Sequence, residues 1–300
     1  MDHPRYGLTL VALVLLGVLG CRAEEKRFDR TFSVLPGGQL MVDTDVGSVT
    51  VTGGSGTEVV VAATIRGSQR QIEEFSVTAE KRENLVEVIG RWTSEARGWR
   101  HRDLDVEFVI TVPREFNVKV GTAGGSVRLA SLTGTTTGET SGGSIRAEDI
   151  TGPLLCETSG GSIKVERIAG KATLETSGGR ITAQTVAGDL VAETSGGSIT
   201  LDGIDGKIHA ETSGGSISIE LVGENRGIDA STSGGSIEIV LPADVRATLD
   251  ASTSGGSVTC DLPITTQGRM DPTSIRGTIN GGGRTIDAST SGGSVRIRSR

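Results

Sequence analysis

The chain has 300 residues and contains 45 glycines but only five Phe, two Trp and one Tyr, with a formal net charge of −7. So few large apolar side chains exclude a single thick core of the kind that an ordinary enzyme domain has, and thin stacked layers fit better. The charges form no polybasic block, so we expect no nucleic-acid partner, and the glycines do not recur at every third residue, which excludes collagen.

The N-terminus has the pattern of an export signal. Arg5 precedes an apolar run over residues 8–19, which is too short for a permanent membrane-spanning helix, and Cys21 follows. This pattern resembles the lipobox of bacterial lipoproteins, which implies a signal peptide at 1–20 and an acylated Cys21 that opens a linker at 21–29. We therefore expect a cell-envelope protein that its lipid holds to a bacterial membrane on the extracytoplasmic side. A plain secretory signal with a chance cysteine is the alternative.

Residues 30–120 are predicted to form a β-rich cap and a first coil. All aromatic residues of the chain after Cys21 precede residue 117, and Val106 to Val112 is a run of strand-forming residues. A short helix is expected near Gln69 to Phe75. Solenoid ends need such caps because an exposed terminal coil is an open sheet edge.

One segment of this cap combines tryptophans with arginines. Trp92 and Trp99 lie among four arginines within residues 91–102. Such a protrusion is able to grip a partner, so Trp92, Trp99 and Arg100 are candidate partner-binding residues. In the alternative, the two tryptophans face each other across a hairpin and pack on the cap.

The rest of the chain is a repeat. The string Glu-Thr-Ser-Gly-Gly recurs with a spacing of 18 residues, and Ser-Thr-Ser-Gly-Gly copies follow. The first string begins at Glu139, Glu157, Glu175, Glu193 and Glu211, and the second at Ser231, Ser252 and Ser289. This period is too short for a helix, a strand and two turns, and it is typical of one solenoid coil.

Apolar residues fall into columns with the same period. Within a unit they stand two residues apart, which indicates strands with one face inward. The threonine of each string is predicted to face inward, and Gly152, Gly170, Gly188 and Gly206 are predicted to form a corner. Residues 121–300 are therefore predicted to be an all-β, single β-solenoid. The column offsets differ from the six-residue period of left-handed hexapeptide helices, which favours a right-handed parallel β-helix.

The far end of the solenoid and the two remaining cysteines complete the structural predictions. Residues 261–284 and the basic Arg296, Arg298 and Arg300 are expected to close that end. Cys156 and Cys260 should lie five to six coils apart, or about 25 Å, which is too far for a disulfide. We therefore predict two free, buried thiols.

The sequence resembles the bacterial putative-adhesin family of β-strand-repeat domains of unknown function. The lipobox, the strand Val112 to Val120 and the tandem Thr-Ser-Gly-Gly-Ser-Ile units carry the resemblance, which covers roughly residues 30–300. It implies a β-solenoid on the cell envelope and a role in adhesion, with some relatives in envelope-stress contexts, and it transfers no catalytic residue. This chain has Gly-Gly-Ser where relatives frequently have Gly-Asp, and its insertion at 59–120 is long.

The glutamates of the repeat form a column of like charges, which is unusual. Carboxylates that point outward from successive coils would stand about 5 Å apart. A solvated stripe that blocks sideways aggregation is favoured over calcium binding by Glu139, Glu157, Glu175, Glu193 and Glu211. His209 is interpreted as a surface substitution, and no cysteine or histidine cluster has the spacing of a metal site.

These observations predict a non-enzymatic envelope lipoprotein. It would present the solenoid for adhesion or for interaction with an envelope protein or glycan, without a cofactor. A structural or envelope-stress scaffold is one alternative. A β-helix enzyme acting on polysaccharides is another, although the solenoid lacks the aromatic platforms that such enzymes generally have.

Overall fold

The computed structural model describes residues 24–93, 104–266 and 271–300, and in this part of the chain it contains 27 strands and one short helix. The N-terminal elements are β1 (Glu24–Ser33), β2 (Gly38–Thr44), β3 (Ser48–Gly54), β4 (Glu58–Gly67), α1 (Gln69–Glu74), β5 (Phe75–Arg82), β6 (Leu85–Trp92), β7 (Asp105–Pro113), β8 (Phe116–Thr122) and β9 (Val127–Thr133). The short helix that the sequence predicts is confirmed.

The repeat region supplies two strands per unit. These are β10 (Thr136–Thr140), β11 (Ile145–Thr151), β12 (Leu154–Thr158), β13 (Ile163–Ala169), β14 (Ala172–Thr176), β15 (Ile181–Ala187), β16 (Leu190–Thr194), β17 (Ile199–Asp205), β18 (Ile208–Thr212), β19 (Ile217–Leu221), β20 (Ile228–Thr232) and β21 (Ile237–Leu241). The C-terminal strands are β22 (Ala247–Thr253), β23 (Val258–Cys260), β24 (Ile264–Thr266), β25 (Ser274–Ile279), β26 (Thr285–Thr290) and β27 (Val295–Ser299).

The strands form two long sheets that enclose a thin core. Sheet A has 13 strands in the order β1-β4-β7-β3-β9-β11-β13-β15-β17-β19-β21-β27-β23. Sheet B has 14 strands in the order β24-β25-β22-β26-β20-β18-β16-β14-β12-β10-β8-β2-β6-β5. Each repeat unit gives one parallel strand to each sheet, so that Ile145 pairs with Ile163 in sheet A and Thr140 with Thr158 in sheet B. The predicted β-solenoid is therefore confirmed, while the hand of its coils stays a prediction.

The Thr-Ser-Gly-Gly turns connect neighbouring coils. Thr176 faces inward, as predicted, and its Oγ1 donates a hydrogen bond to the carbonyl of Gly161 in the preceding coil (2.8 Å). The same hydroxyl accepts from the amide of Gly179 in its own turn (3.3 Å). Equivalent pairs occur at Thr140, Thr158, Thr194, Thr212, Thr232 and Thr290. One hydroxyl per coil thus satisfies two buried backbone groups.

In successive regular coils, the second corner uses two residues with positive φ. Gly152, Gly170 and Gly188 have φ values of 123°, 147° and 153°, as the predicted corner requires, whereas the fourth predicted corner residue, Gly206, does not adopt this conformation. Three residues before each of them, Asp149, Arg167 and Thr185 adopt the left-handed conformation with φ of 55°, 55° and 56°. Ser131 and Gly203 occupy the same position in other coils, with φ of 58° and 70°. The corner therefore tolerates side chains in a conformation that glycine adopts more easily.

The N-terminal end is rearranged. The coil of β2 and β3 is second in the stack, because β6 and β7 lie outside it. Antiparallel strands β1 and β4 extend sheet A, and β5 extends sheet B. Phe75, Phe108 and Phe116 are fully buried here. The predicted linker at 21–29 is wrong in part, because β1 already begins at Glu24 and pairs with β4 over its whole length.

The C-terminal end is rearranged in a similar way. Strands β26 and β27, although last in the chain, insert between the coil of β20 and β21 and the coil of β22 and β23. Antiparallel β24 and β25 then cover the edge of sheet B. Residues of the predicted closing segment 261–284 therefore do lie at the end. Arg296, Arg298 and Arg300 do not, because their strand is penultimate, where Arg298 pairs with Glu238 (2.9 Å).

Both cysteines in the described part are free, as predicted. Cys156 is fully buried, and burial raises the pKa of its thiol to about 12, so the thiolate is not formed at neutral pH. Cys260 is only half-buried, because its short strand β23 is the edge of sheet A. Among the described residues, no helix is long and apolar enough to cross a membrane.

Candidate functional site: an acidic groove along the coils

The glutamate column lies on the outer face of sheet B. Each glutamate is directly opposite the next one in register, for example Glu157 opposite Glu175 and Glu175 opposite Glu193. The carboxylates point outward because the neighbouring threonines point inward, and the side chain of Glu193 is 46% exposed. Successive carboxylates therefore follow the strand spacing of about 4.8 Å.

A groove of about 720 Å³ follows this column along the solenoid. Its lining includes the glutamates and, two residues further along the chain, the turn serines. These are Glu139, Glu157, Glu175, Glu193 and Glu211, and Ser141, Ser159, Ser177, Ser195 and Ser213. Asp43, Asp45 and Arg91 line its N-terminal end, where Arg91 forms ion pairs with both aspartates.

The charges of the groove are compensated at its ends and uncompensated in its middle. Lys119 pairs with Glu139 (3.2 Å) at one end. In the described part of the chain, Glu157 and Glu175 form no ion pair. Partial burial raises the pKa of Glu175, and the carboxylates of Glu157 and Glu193 raise it further. The middle of the groove is thus a place where added positive charge would be stabilised.

His209 lies at the other end of the groove. Its Nε2 is 3.6 Å from Glu193 Oε1 and 3.9 Å from Glu211 Oε2, and its Nδ1 is 3.1 Å from Asp229 Oδ2. It stands in the column that Val191 fills one coil earlier, as the sequence predicts for a surface substitution. The ring is held among these three carboxylates.

The other predicted site residues lie elsewhere. Cys21, Trp99 and Arg100 are outside the described residues. Trp92 is half-buried and packs edge-on against Phe75, with ring centroids 5.3 Å apart and an interplanar angle of 72°. Its backbone amide donates to Asp45 Oδ2 (3.0 Å). Trp92 therefore makes the packing contact of the alternative interpretation, but with Phe75.

Metal binding gains no support from this geometry. Within residues 24–93, 104–266 and 271–300, no group of three or more His, Cys, Asp and Glu side chains is placed to hold a metal ion. Calcium binding by the glutamate column stays the less favoured hypothesis, and the solvated acidic stripe stays the prediction.

The sequence predicts the carboxylates of this groove, but it does not predict the turn serines or the Arg91 cluster as part of it. The signal for the serines was available, because Ser141 stands two residues after Glu139 and so shares its face. Arg91 comes from the inserted cap strand β6, which lies outside the repeat in sequence. Its position at the groove depends on the pairing of β6 with β2, which no spacing indicates.

The repeated coil, with its inward threonine and its glycine turn, is matched by a family model described as Toastrack DUF4097, over residues 39–298. The chain belongs to this family. Its membership agrees with the predicted resemblance to β-repeat adhesins. Among curated proteins, no match is found.

The chain is also similar to solved structures whose descriptions name adhesion proteins. One is a putative adhesin from Bacteroides fragilis, with 14% identity, a TM-score of 0.40, and coverage of 92% of this chain and 97% of that one. Another is a putative adhesin from Parabacteroides distasonis, with 13% identity, a TM-score of 0.33, and coverage of 91% and 97%. A putative cell adhesion protein from Clostridium sporogenes has 13% identity, a TM-score of 0.24, and coverage of 92% and 100%. None of these descriptions names an enzymatic activity, and likeness at this level is no evidence of a shared ligand.

Proposed function

We propose that this DUF4097 protein is a non-enzymatic interaction module of the bacterial cell envelope. Its solenoid would present the acidic groove to a protein or glycan that carries positive charges. The lipid on Cys21 would hold the module at a membrane on the extracytoplasmic side.

The groove is the observation that supports the binding role. Its lining combines five glutamates with five turn serines, and the strand pairing of sheet B fixes the spacing of the glutamates. A rigid row of like charges costs free energy when it is empty, because each carboxylate repels its neighbours. A cationic partner relieves that repulsion and displaces little ordered structure, so the groove is pre-organised for it.

The position of β1 supports the anchoring role. The strand begins three residues after Cys21. Three extended residues span at most about 10 Å, so acyl chains on Cys21 would keep the start of β1 close to the membrane surface. The groove then begins at the cap and extends along the coils from the anchored end.

The composition of the groove supports binding without catalysis. Its lining contains no aromatic side chain on which a sugar ring could stack.

Removal of the central charges tests the proposal. The variant E157Q/E175Q/E193Q keeps the side-chain shapes and removes three charges from the groove. Binding of the soluble chain, residues 22–300, to envelope extract is measured by pull-down and mass spectrometry. We expect the wild type to retain a defined partner and the variant to lose it, with the loss growing smaller as salt is added.

The matched control is E58Q/E115Q/D202N, which removes the same charge from exposed positions outside the groove. It should retain the partner. Equal retention by both triple variants would overturn the role of the groove, and a wild type that retains nothing would overturn the binding function.

A further inference from the structure

The solenoid repeat is interrupted near its C-terminal end. Ile208 and Ile228 pair across neighbouring coils but stand 20 residues apart, whereas regular units have 18. The additional residues lengthen the connector 222–227 between β19 and β20. This connector meets two others, 242–246 and 280–284, and the three enclose a cavity of about 720 Å³. Regular coils have a tight glycine corner at this level of the fold.

Two asparagines hold the connectors together. Asn225 Nδ2 donates to the carbonyls of Arg246 (3.2 Å) and Arg284 (2.7 Å), and its Oδ1 accepts from the amide of Gly227 (3.0 Å). Asn280 Nδ2 donates to the carbonyl of Val245 (2.9 Å). Asn225 therefore joins its own connector to both others, and Asn280 joins 280–284 to 242–246, so hydrogen bonds tie the cavity wall together.

The lining of the cavity combines three kinds of side chain. Arg246 and Arg284 are exposed, stand on adjacent strand starts, and form no ion pair with any residue in the described part. Val222 is 41% exposed and, with Pro242, gives the cavity an apolar wall. Glu224 and Asp244 also line it and are likewise without ion pairs among the described residues.

Two unpaired guanidiniums beside two unpaired carboxylates suit a ligand with both an anionic group and hydroxyl groups. Guanidinium groups bind carboxylate and phosphate oxygens through charge-assisted hydrogen bonds. Carboxylates accept hydrogen bonds from hydroxyls, and an aliphatic wall suits the C–H face of a sugar ring. The cavity volume lies within the range of small-molecule sites, about 300–1,000 Å³.

We propose that this cavity is a binding site for an acidic sugar. Arg246 and Arg284 hold its carboxylate or phosphate, Glu224 and Asp244 accept from its hydroxyls, and Val222 contacts the ring. The site is separate from the acidic groove and selects the opposite charge. Its existence does not depend on the groove function.

Titration calorimetry of the chain 22–300 with glucuronic acid, glucose 6-phosphate and glucose tests the site. At least one acidic sugar should bind with a dissociation constant below about 1 mM, and glucose should bind at least tenfold more weakly. Binding of glucuronic acid alone assigns a uronic acid as the ligand, and binding of glucose 6-phosphate alone assigns a sugar phosphate. The absence of binding by both acidic sugars at several times that concentration would overturn the proposal.

Substitutions locate the site. R246Q and R284Q should each weaken binding by about tenfold or more, since each removes a charge-assisted hydrogen bond. The matched control R180Q changes an exposed, unpaired arginine of a regular coil and should leave binding unchanged. Thermal melts verify that all three fold. Unchanged affinity in R246Q and R284Q, or an equal loss in R180Q, would contradict the assignment, and E157Q/E175Q/E193Q should bind the sugar as the wild type does.

Discussion

The regular coils and the two ends of this solenoid differ in how their strands pair and in which residues fill their core. From β10 to β18, every strand of sheet B repeats its predecessor in register, and the core uses small aliphatic residues and one threonine per coil. The ends use antiparallel strands and, on the N-terminal side, buried phenylalanines. Repetition of the coil places the same side chains in one row, which forms the acidic groove. Irregular packing at the ends produces sites that occur once, such as the cavity between the C-terminal connectors.

The two regions also differ in what an alteration should do to them. A regular coil has two equivalent neighbours, so these neighbours can pair with each other when the coil is deleted. A coil at either end has two different neighbours, which cannot replace its pairing in the same way.

Removing a whole coil should therefore have the largest effect on folding, and the effect should differ most between a regular coil and the C-terminal end. Deletion of residues 157–174 takes out one 18-residue unit and joins Cys156 to Glu175, which keeps the repeat in phase. We expect a chain that remains folded, because β10 then pairs with a hybrid strand of the same register. Truncation of residues 285–300 should cause loss of cooperative folding, since β20, β21, β22 and β23 lose their common neighbours. Circular dichroism during heating measures both, and equal damage would refute the contrast.

A single methyl group in the turn of a regular coil should have the next largest effect. A Cβ at Gly143 would lie 1.9 Å from the carbonyl oxygen of Gly125, which is backbone that cannot move aside. We expect Gly143→Ala to lower the free energy of unfolding by about 3 kcal/mol or more. Gly142→Ala is the control, because nothing lies within 4 Å of its Cβ position. Urea denaturation of both variants checks the difference, which a similar stability of the two would contradict.

The threonine ladder should contribute a smaller amount per coil. Thr176→Val keeps the shape but leaves the Gly161 carbonyl and the Gly179 amide without their hydroxyl partner. The expected loss is about 1–3 kcal/mol. Thr173 lies on the outward face of the same strand, and Thr173→Val should change stability by less than about 0.5 kcal/mol. Denaturant melts of this pair measure the value of the ladder, and equal stabilities would show that it has none.

The smallest expected changes in stability come from replacing two glutamates, one on each sheet, with glutamine, and the two changes should have opposite signs. The pKa of Glu175 is raised by partial burial and by Glu157 and Glu193, so its ionised form destabilises the fold at neutral pH, and stability rises as pH falls through the folded pKa. E175Q should stabilise the protein at pH 7 by less than about 1 kcal/mol, and the gain should vanish in acid.

Glu148 is the opposite case. Hydrogen bonds from Arg167 and Arg146 lower the pKa of its carboxyl, so its stabilisation is present above the unfolded pKa and is lost as pH falls through the folded pKa. E148Q should therefore be less stable than the wild type at neutral pH and equal to it in acid. Melting temperatures across pH 3–7 test both variants, and shifts of the same sign at pH 7 would exclude this account.

The sequence predicts the regular coils well because each unit repeats the same local constraints. The spacing of Glu139 and its successors, the inward threonine and the glycine corner all follow from one 18-residue period. The left-handed residues Asp149, Arg167 and Thr185 do not follow from it, because their side chains give no sign of positive φ. Thr185 in particular has a branched Cβ that disfavours this conformation.

The ends were predicted less well because their neighbours are distant in sequence. The pairing of β27 with β21 depends on the stacking order of the coils, and no local sequence pattern encodes that order. For the same reason the sequence did not indicate the cavity of Arg246 and Arg284. The 20-residue spacing from Glu211 to Ser231 was visible, but its partners at 242–246 and 280–284 are set by the stacking order.

The penultimate position of the last strands has a consequence for synthesis. A ribosome delivers β22 to β25 before it delivers β26 and β27, yet these earlier strands form the outer cover of the stack. The growing chain can therefore stack neighbouring coils in order only as far as β21. Until β26 and β27 are made, β20 and β21 present unpaired sheet edges, which pairing with these two strands then covers.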